Sequence, residues 1–267
     1  MRFSFRLAVV AMVFMLAAPS AFAQSVQIED LTWTEIRDAV RAGKTTLIIP
    51  IGGTEQSGPY VAVGKHNVRA RVLSQRIAEG LGNALVAPVI AYVPEGGTSP
   101  TSSHMRFPGT ITVSDDVFEK TLESAANSFR VHGFTNIVFL GDHGGYQADV
   151  RQVVARLNKA WAGSARAFVP AEYYEASSDG YAAILRKQGV RDDEIGTHAG
   201  LADTSLQLAV APQMVRQGAL RSASKPGTAD GVYGGDPRRS SAEFGRLGVE
   251  AIVSRTIAAI RKETGGR

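Results

Sequence analysis

Thr135-Asn136-Ile137-Val138-Phe139-Leu140-Gly141-Asp142-His143-Gly144-Gly145-Tyr146-Gln147 decides the fold of this chain. Its first five residues are a β-branched and aromatic run of the kind a buried strand uses. From Ala148 to Ala160, Val150, Val153, Val154 and Leu157 recur at helical spacing. A strand that ends in a polar, glycine-rich turn and opens a helix is where open α/β sheets place their chemistry, at the carboxyl ends of the strands. Asp142 and His143 are therefore expected at a pocket rim, with two glycines letting a ligand approach the backbone. A helix-capping Asp beside a surface His would explain the stretch equally well. Two other polar turns decide the matter.

The same strand, turn and helix pattern recurs on either side. Ile28 to Ala42 reads as an amphipathic helix with Thr32 or Thr34 as its cap. Thr45 to Ile51 is a continuous apolar run suited to a parallel sheet covered on both faces. A long polar turn holding Glu55 and His66 follows, then a helix over Val68 to Leu81 stopped by Gly82. Ala84 to Val93 reads as a strand, Pro94 to Thr110 as a second long turn containing His104, and Asp115 to about Val131 as a helix. Beyond the central stretch come a strand from Arg166 running towards Tyr173 and Tyr174, a short helix over Ser178 to Gln188, and a charged loop over Val190 to Glu194. His198 and Asp203 follow, with helix over Leu206 to Val210. A closing helix capped by Ser240 or Ser241 runs to Ile260. The alternation implies an α/β chain with a mostly parallel central sheet.

Composition bounds the possibilities. The 267 residues open with Arg2 and Arg6, an apolar Leu7 to Leu16, and Ala21-Phe22-Ala23 before Gln24. That pattern is a cleavable secretory signal over 1–23, which leaves 24–267 as one domain bound for the periplasm or the exterior. No later apolar run is long enough to span a bilayer, so no membrane association is expected after cleavage. Loss of the two signal arginines lowers the formal charge from +4 to about +2. No basic stripe interleaved with aromatics points to nucleic acid. With no cysteine, disulfides, thiolate catalysis and Cys-held zinc are excluded. The chain also lacks a Gly-x-Ser-x-Gly elbow and both phosphate-binding glycine motifs.

What remains is a set of acids and histidines beside glycines at successive strand ends: Glu55, His66, His143, His198 and Asp203. Taken singly, each is an ordinary loop acid, cap or packed histidine. Together they make an N/O donor set suited to zinc, manganese or iron.

Five ordered blocks between about 45 and 240 resemble the creatininase family. They are Gly52-Gly53-Thr54-Glu55-Gln56-Ser57-Gly58-Pro59, Phe107-Pro108-Gly109-Thr110, Gly141-Asp142-His143-Gly144-Gly145, His198-Ala199-Gly200 with Asp203-Thr204-Ser205, and Gly234-Gly235-Asp236-Pro237. The resemblance implies a three-layer α/β/α sandwich, a homo-oligomer (often a hexamer), and a two-metal amidohydrolase acting on cyclic amides or other C–N bonds of small molecules. It gives Glu55, His143 and Asp203 as ligands and His198 as the catalytic proton shuttle. Ser57 and Tyr60 stand where the family has histidines, and His66 stands where it has a bridging aspartate. A neutral imidazole offers one lone pair and cannot span two cations. The expectation is therefore about one zinc, manganese or iron ion per chain, held by Glu55, His66, His143 and Asp203 with one position open for water. Asp142 is expected to orient a ligand histidine. Ser57, Tyr60, His104, Tyr146 and Tyr233 are expected around the substrate. The rival reading is an exported binding protein that keeps the pocket without hydrolysis. The altered first block motivates it, and the retained His143, His198 and Asp203 favour the enzyme.

Overall fold

The computed structural model describes residues 25–265. The expected signal segment lies outside them. Among the described residues no helix is long and apolar enough to cross a membrane.

The first half supplies α1 (Trp33–Arg41), β1 (Thr46–Ile51), α2 (Lys65–Leu81), β2 (Ala84–Val86), α3 (Asp115–Val131), β3 (Asn136–Gly141), α4 (Gln147–Trp161) and β4 (Arg166–Phe168). The second half is mostly helical: α5 (Ala171–Ser177), α6 (Asp179–Lys187), α7 (Asp192–Ile195), α8 (Leu201–Val210), α9 (Gln217–Ser222) and α10 (Ala242–Glu263). Two short strands, β5 (Gly196–His198) and β6 (Tyr233–Gly235), interrupt it.

The four early strands form a parallel sheet in the order β2-β1-β3-β4. β1 and β3 pair along six residues each, from Thr46 opposite Asn136 to Ile51 opposite Gly141. Period-two alternation splits their side chains between two cores. Leu47, Ile49, Ile51, Ile137 and Phe139 pack against α1, α3 and α4, whereas Ile48, Val138 and Leu140 pack against α2, α5, α6, α8 and α10. Both faces are covered, which gives the expected three layers. Each fully buried Ile or Leu contributes on the order of 1.5–3 kcal/mol.

The chain runs from β1 to β2 over one face, then passes back across β1 over the other face to β3. The strand order therefore reverses between β1 and β3, the crevice where doubly wound sheets bind ligands. Glu55 follows one of these strands and His143 the other.

The expected caps of the first and last helices hold, and several boundaries between them differ from expectation. α1 is capped by Thr32, which makes a capping box with Glu35, and α10 is capped by Ser241. α2 begins at Lys65, three residues before the expected start, which brings Lys65 and His66 into its first turn. The strand expected over Ala84 to Val93 is three residues long. Pro88 has no N–H for the ladder, and the chain continues only through the single Ile51 to Ile90 bridge. Tyr173 and Tyr174 lie in α5 rather than on a strand, the charged loop contains α7, and helix begins at Leu201 rather than Leu206. His198 leaves a separate antiparallel pair, in register with Tyr233, and does not follow a strand of the main sheet.

A candidate metal centre beside a buried ion-pair network

Glu55 is fully buried at the carboxyl end of β1. The turn that carries it is pinned from β3's side: the Tyr146 hydroxyl lies 2.9 Å from the Ile51 carbonyl and 2.8 Å from that of Gly52, and accepts from the His143 backbone N–H at 3.0 Å. Glu95 reaches in from the loop after β2. Gly53 makes room for it with φ at +147°, since a Cβ there would stand 2.6 Å from Glu95 Oε1.

Donor atoms from Glu55, Glu95, His104 and His143 gather within 4.8 Å of one another. His104 Nε2 lies 3.1 Å and His143 Nε2 3.5 Å from Glu55 Oε2, and His143 Nδ1 lies 3.7 Å from Glu95 Oε1. Three carboxylate oxygens here, Glu55 Oε2 and both of Glu95, are buried without a hydrogen-bond partner. Buried acceptors left unpaired are costly, and a cation removes the cost. Burial pushes His143 down to about 4 and also lowers His104, so both rings are neutral near pH 7, as ligands must be. Burial and the nearby charge of Glu55 push the Glu95 carboxyl up to about 9. Two carboxylates and two neutral imidazoles fit a zinc or manganese ion.

The other side of Glu55 is different. Its Oε1 lies 2.7 Å from His66 Nε2 and 3.3 Å from Lys65 Nζ. His66 Nδ1 lies 2.6 Å from Asp142 Oδ2, which also accepts from Arg69 Nε at 2.8 Å, and Tyr173 donates to Asp142 Oδ1 at 3.1 Å. Arg69 donates to Asp203 Oδ1 at 2.7 Å, while Asp203 Oδ2 takes the Lys65 ammonium and the Ala199 N–H. Burial alone would raise all three carboxyls. Lys65 and His66 outweigh it at Glu55, Arg69 and His66 at Asp142, and Lys65 and Arg69 at Asp203, so each is held below its ordinary value.

Of the four ligands expected, Glu55 and His143 lie in the convergent group. His66 and Asp203 lie in the ion-pair network: both ring nitrogens of His66 face carboxylates, and both oxygens of Asp203 face cations. Their places in the group are taken by His104, expected only as a pocket residue, and by Glu95, which sequence reading missed. Glu95 sits between Pro94 and Gly96-Gly97 after the second strand, so the reasoning that marked Glu55 applied to it as well. Lys65 and Arg69 were also missed, although Arg69 shares a helix face with His66 at i+3.

His198 closes the group from the other side, its Nδ1 3.5 Å from Glu55 Oε1 and its Nε2 2.9 Å from the Gln56 carbonyl. The Gln56 side-chain nitrogen lies 3.0 Å from the same Nε2, so both the backbone and the side chain of Gln56 hold this ring. Burial, reinforced by Lys65, holds His198 down to about 3. The Gln56 side-chain nitrogen lies 3.1 Å from His104 Nδ1 and ties the two rings together. Ser103 and Ala199, which flank His104 and His198, have positive φ of 49° and 53°, strain of the kind found at functional sites. Asp142 supports His66 rather than a histidine of the convergent group. Ser57 is buried beside Glu55, and Tyr60 packs on a satellite cluster with Val61 and Leu208. Tyr233 stacks near His198 and His104, at ring distances of 5.3 and 6.0 Å. A cavity of about 680 Å³ opens beside both groups, lined by His104, His143 and His198 and by Lys65, Arg69 and Asp203 of the network, and it reaches Tyr174 and Arg186.

The creatininase model, described as creatinine amidohydrolase, matches residues 29–260. The creatinine amidohydrolase of Pseudomonas putida is 26% identical over 200 residues, covering 72% of this chain and 74% of that protein. The mycofactocin precursor peptide peptidase of Mycolicibacterium smegmatis is 25% identical over 212 residues, covering 77% and 81%. A solved manganese creatininase is 25% identical with a TM-score of 0.73, over 90% of this chain and 99% of that one.

Proposed function

The chain belongs to the creatininase family, and from that premise we propose that it is a divalent-metal amidohydrolase cleaving the C–N bond of a cyclic amide or a related small molecule. The observation that carries this reading is the convergence of three unpartnered buried carboxylate oxygens with His104 and His143. Glu55, Glu95, His104 and His143 would hold about one manganese or zinc ion, in place of the set drawn from sequence. When bound, the ion polarises a carbonyl and acidifies water. The chain's own groups do the rest. His198 takes a proton and returns it to the leaving nitrogen. Gln56 and Tyr233 hold that ring in place, and the cavity walls orient the substrate.

The test compares wild type with His198→Ala, manganese-loaded and chelator-treated, on a panel of cyclic amides, lactams and lactones. Metal-dependent turnover by the wild type and a loss of at least about a hundredfold in the variant, with metal retained, are expected. No metal-dependent turnover on a broad panel would favour a binding protein. Export is part of the same proposal. Mass spectrometry of periplasmic protein is expected to show Gln24 as the first residue, and a full-length chain there would refute cleavage after Ala23. A homo-oligomer, hexameric in the family's manner, is proposed as the working assembly, and light scattering that shows a monomer would reject it.

A further inference from the structure

Lys65 is in an unusual place for a lysine. It is the first residue of α2, where the helix dipole disfavours a cation, and its side chain is 1% exposed, so water does not solvate it. What holds it is a pair of carboxylates, Asp203 through Oδ2 and Glu55 through Oε1 at 3.3 Å. The other oxygen of Glu55 faces His104 and His143 and has no hydrogen bond. A single carboxylate therefore spans an ammonium on one side and the candidate metal group on the other. Around the ammonium's side of Glu55 stand further donors: His66 Nε2 at 2.7 Å and His198 Nδ1 at 3.5 Å from the same Oε1. Two carboxylates with imidazoles close by are the donors a divalent ion takes. Here a side-chain cation sits among them.

We propose that Lys65 is a built-in cation filling the place of a second metal ion beside Glu55, so that the centre takes one ion and is closed to another. The proposal rests on the metal reading above. It deepens that reading by assigning the second cation of the site to the polypeptide. The ammonium brings a single charge, no vacant coordination position and no bound water. The chemistry of the site then falls on one ion, on the side of Glu55 that faces His104 and His143.

The test is a count of ions, which does not depend on finding a substrate. Wild type, Lys65→Met and Lys65→Arg are stripped with chelator, titrated with Mn²⁺ alone, and assayed for bound manganese after gel filtration, with circular dichroism to follow the fold. Wild type and Lys65→Arg are expected to saturate at about one ion per chain and Lys65→Met at about two. A folded Lys65→Met that stays at one, or a wild type that takes two, overturns the proposal and leaves the metal reading intact. A wild type that takes none overturns both. Should Lys65→Met be unfolded without metal, recovery of its fold on adding Mn²⁺ supports the proposal and failure to recover counts against it.

Discussion

Glu55 stands between two neighbourhoods built from the same kinds of residue and opposite in character. On its Oε1 side, Lys65, His66, Arg69, Asp142 and Asp203 satisfy one another, and the carboxylates are held below their ordinary values by cations of the same chain. On its Oε2 side, Glu55, Glu95, His104 and His143 leave three buried oxygens without partners, and Glu95 holds its proton up to about 9. A network that closes on its own charges needs nothing from outside. One whose crowded acids stand beside neutral imidazoles, with a proton kept on Glu95, offers the donors that a cation takes. Clustering of titratable groups thus says little about function, whereas the balance of donors and acceptors within the cluster says a great deal.

The sharpest way to break this contrast is at the residue shared by both sides. Glu55→Gln is expected to lower metal affinity by more than about a hundredfold, beyond what loss of an outer-sphere partner costs, and to abolish metal-dependent activity. Metal analysis after gel filtration checks it, and unchanged occupancy would remove Glu55 from the centre. On the closed side, Arg69→Met leaves Asp142 and Asp203 buried without their guanidinium. A loss of about 3–5 kcal/mol is expected, or roughly 10 °C in Tm, with manganese binding retained. Calorimetry with and without Mn²⁺ tests this, and a variant that stays folded but binds no metal would show that the two sides are one unit.

The smallest expected effect is a pH slope in the metal-free protein. His143 and His198 titrate at about 4 and about 3 when folded, against 6.5 ordinarily, so below that value the unfolded chain binds more protons and stability falls as pH falls. Glu95 has the opposite sign. Folded, it keeps its proton to about 9, against 4.5 ordinarily, so stability falls as pH rises between those values. Thermal melts of the metal-free chain should therefore weaken on both sides of neutral to slightly acid pH. The alkaline limb, at most about 1.4 kcal/mol per pH unit, should flatten in Glu95→Gln. An alkaline limb unchanged in that variant would place its origin elsewhere.

The sheet and its helical cover were readable because β1 and β3 are continuous apolar runs, α3 and α4 carry periodic apolar faces, and α10 opens on the capping Ser241. The site was half readable. Glu55 and His143 follow long strands directly, and strand-end reasoning finds them. His66 and Asp203 were misplaced because position in a motif does not reveal what a side chain touches. Lys65, one residue before His66, lies in the first turn of α2, three residues ahead of the start that the apolar periodicity predicts. Glu95 opens the turn after the strand expected over Ala84 to Val93, so strand-end reasoning reaches it as it reaches Glu55. The β5 and β6 pair is three residues a side and anchored by the single His198 to Tyr233 register. A pairing that short leaves no periodic signal.

The four donors of the open side come from the loops after β1, β2 and β3, with Glu55 and His143 tied together through the Tyr146 hydroxyl. That origin has a consequence for the order of folding. Bringing residues so far apart in sequence together requires the sheet to be paired first, since closing those loops is costly until strand contacts offset it. A metal ion held by all four residues therefore arrives at a finished site and does not guide the search for it. Its stabilisation appears in the rate of unfolding, as for any contact absent from the transition state. On that reasoning an ion bound there would lengthen the life of the native topology without being needed to reach it.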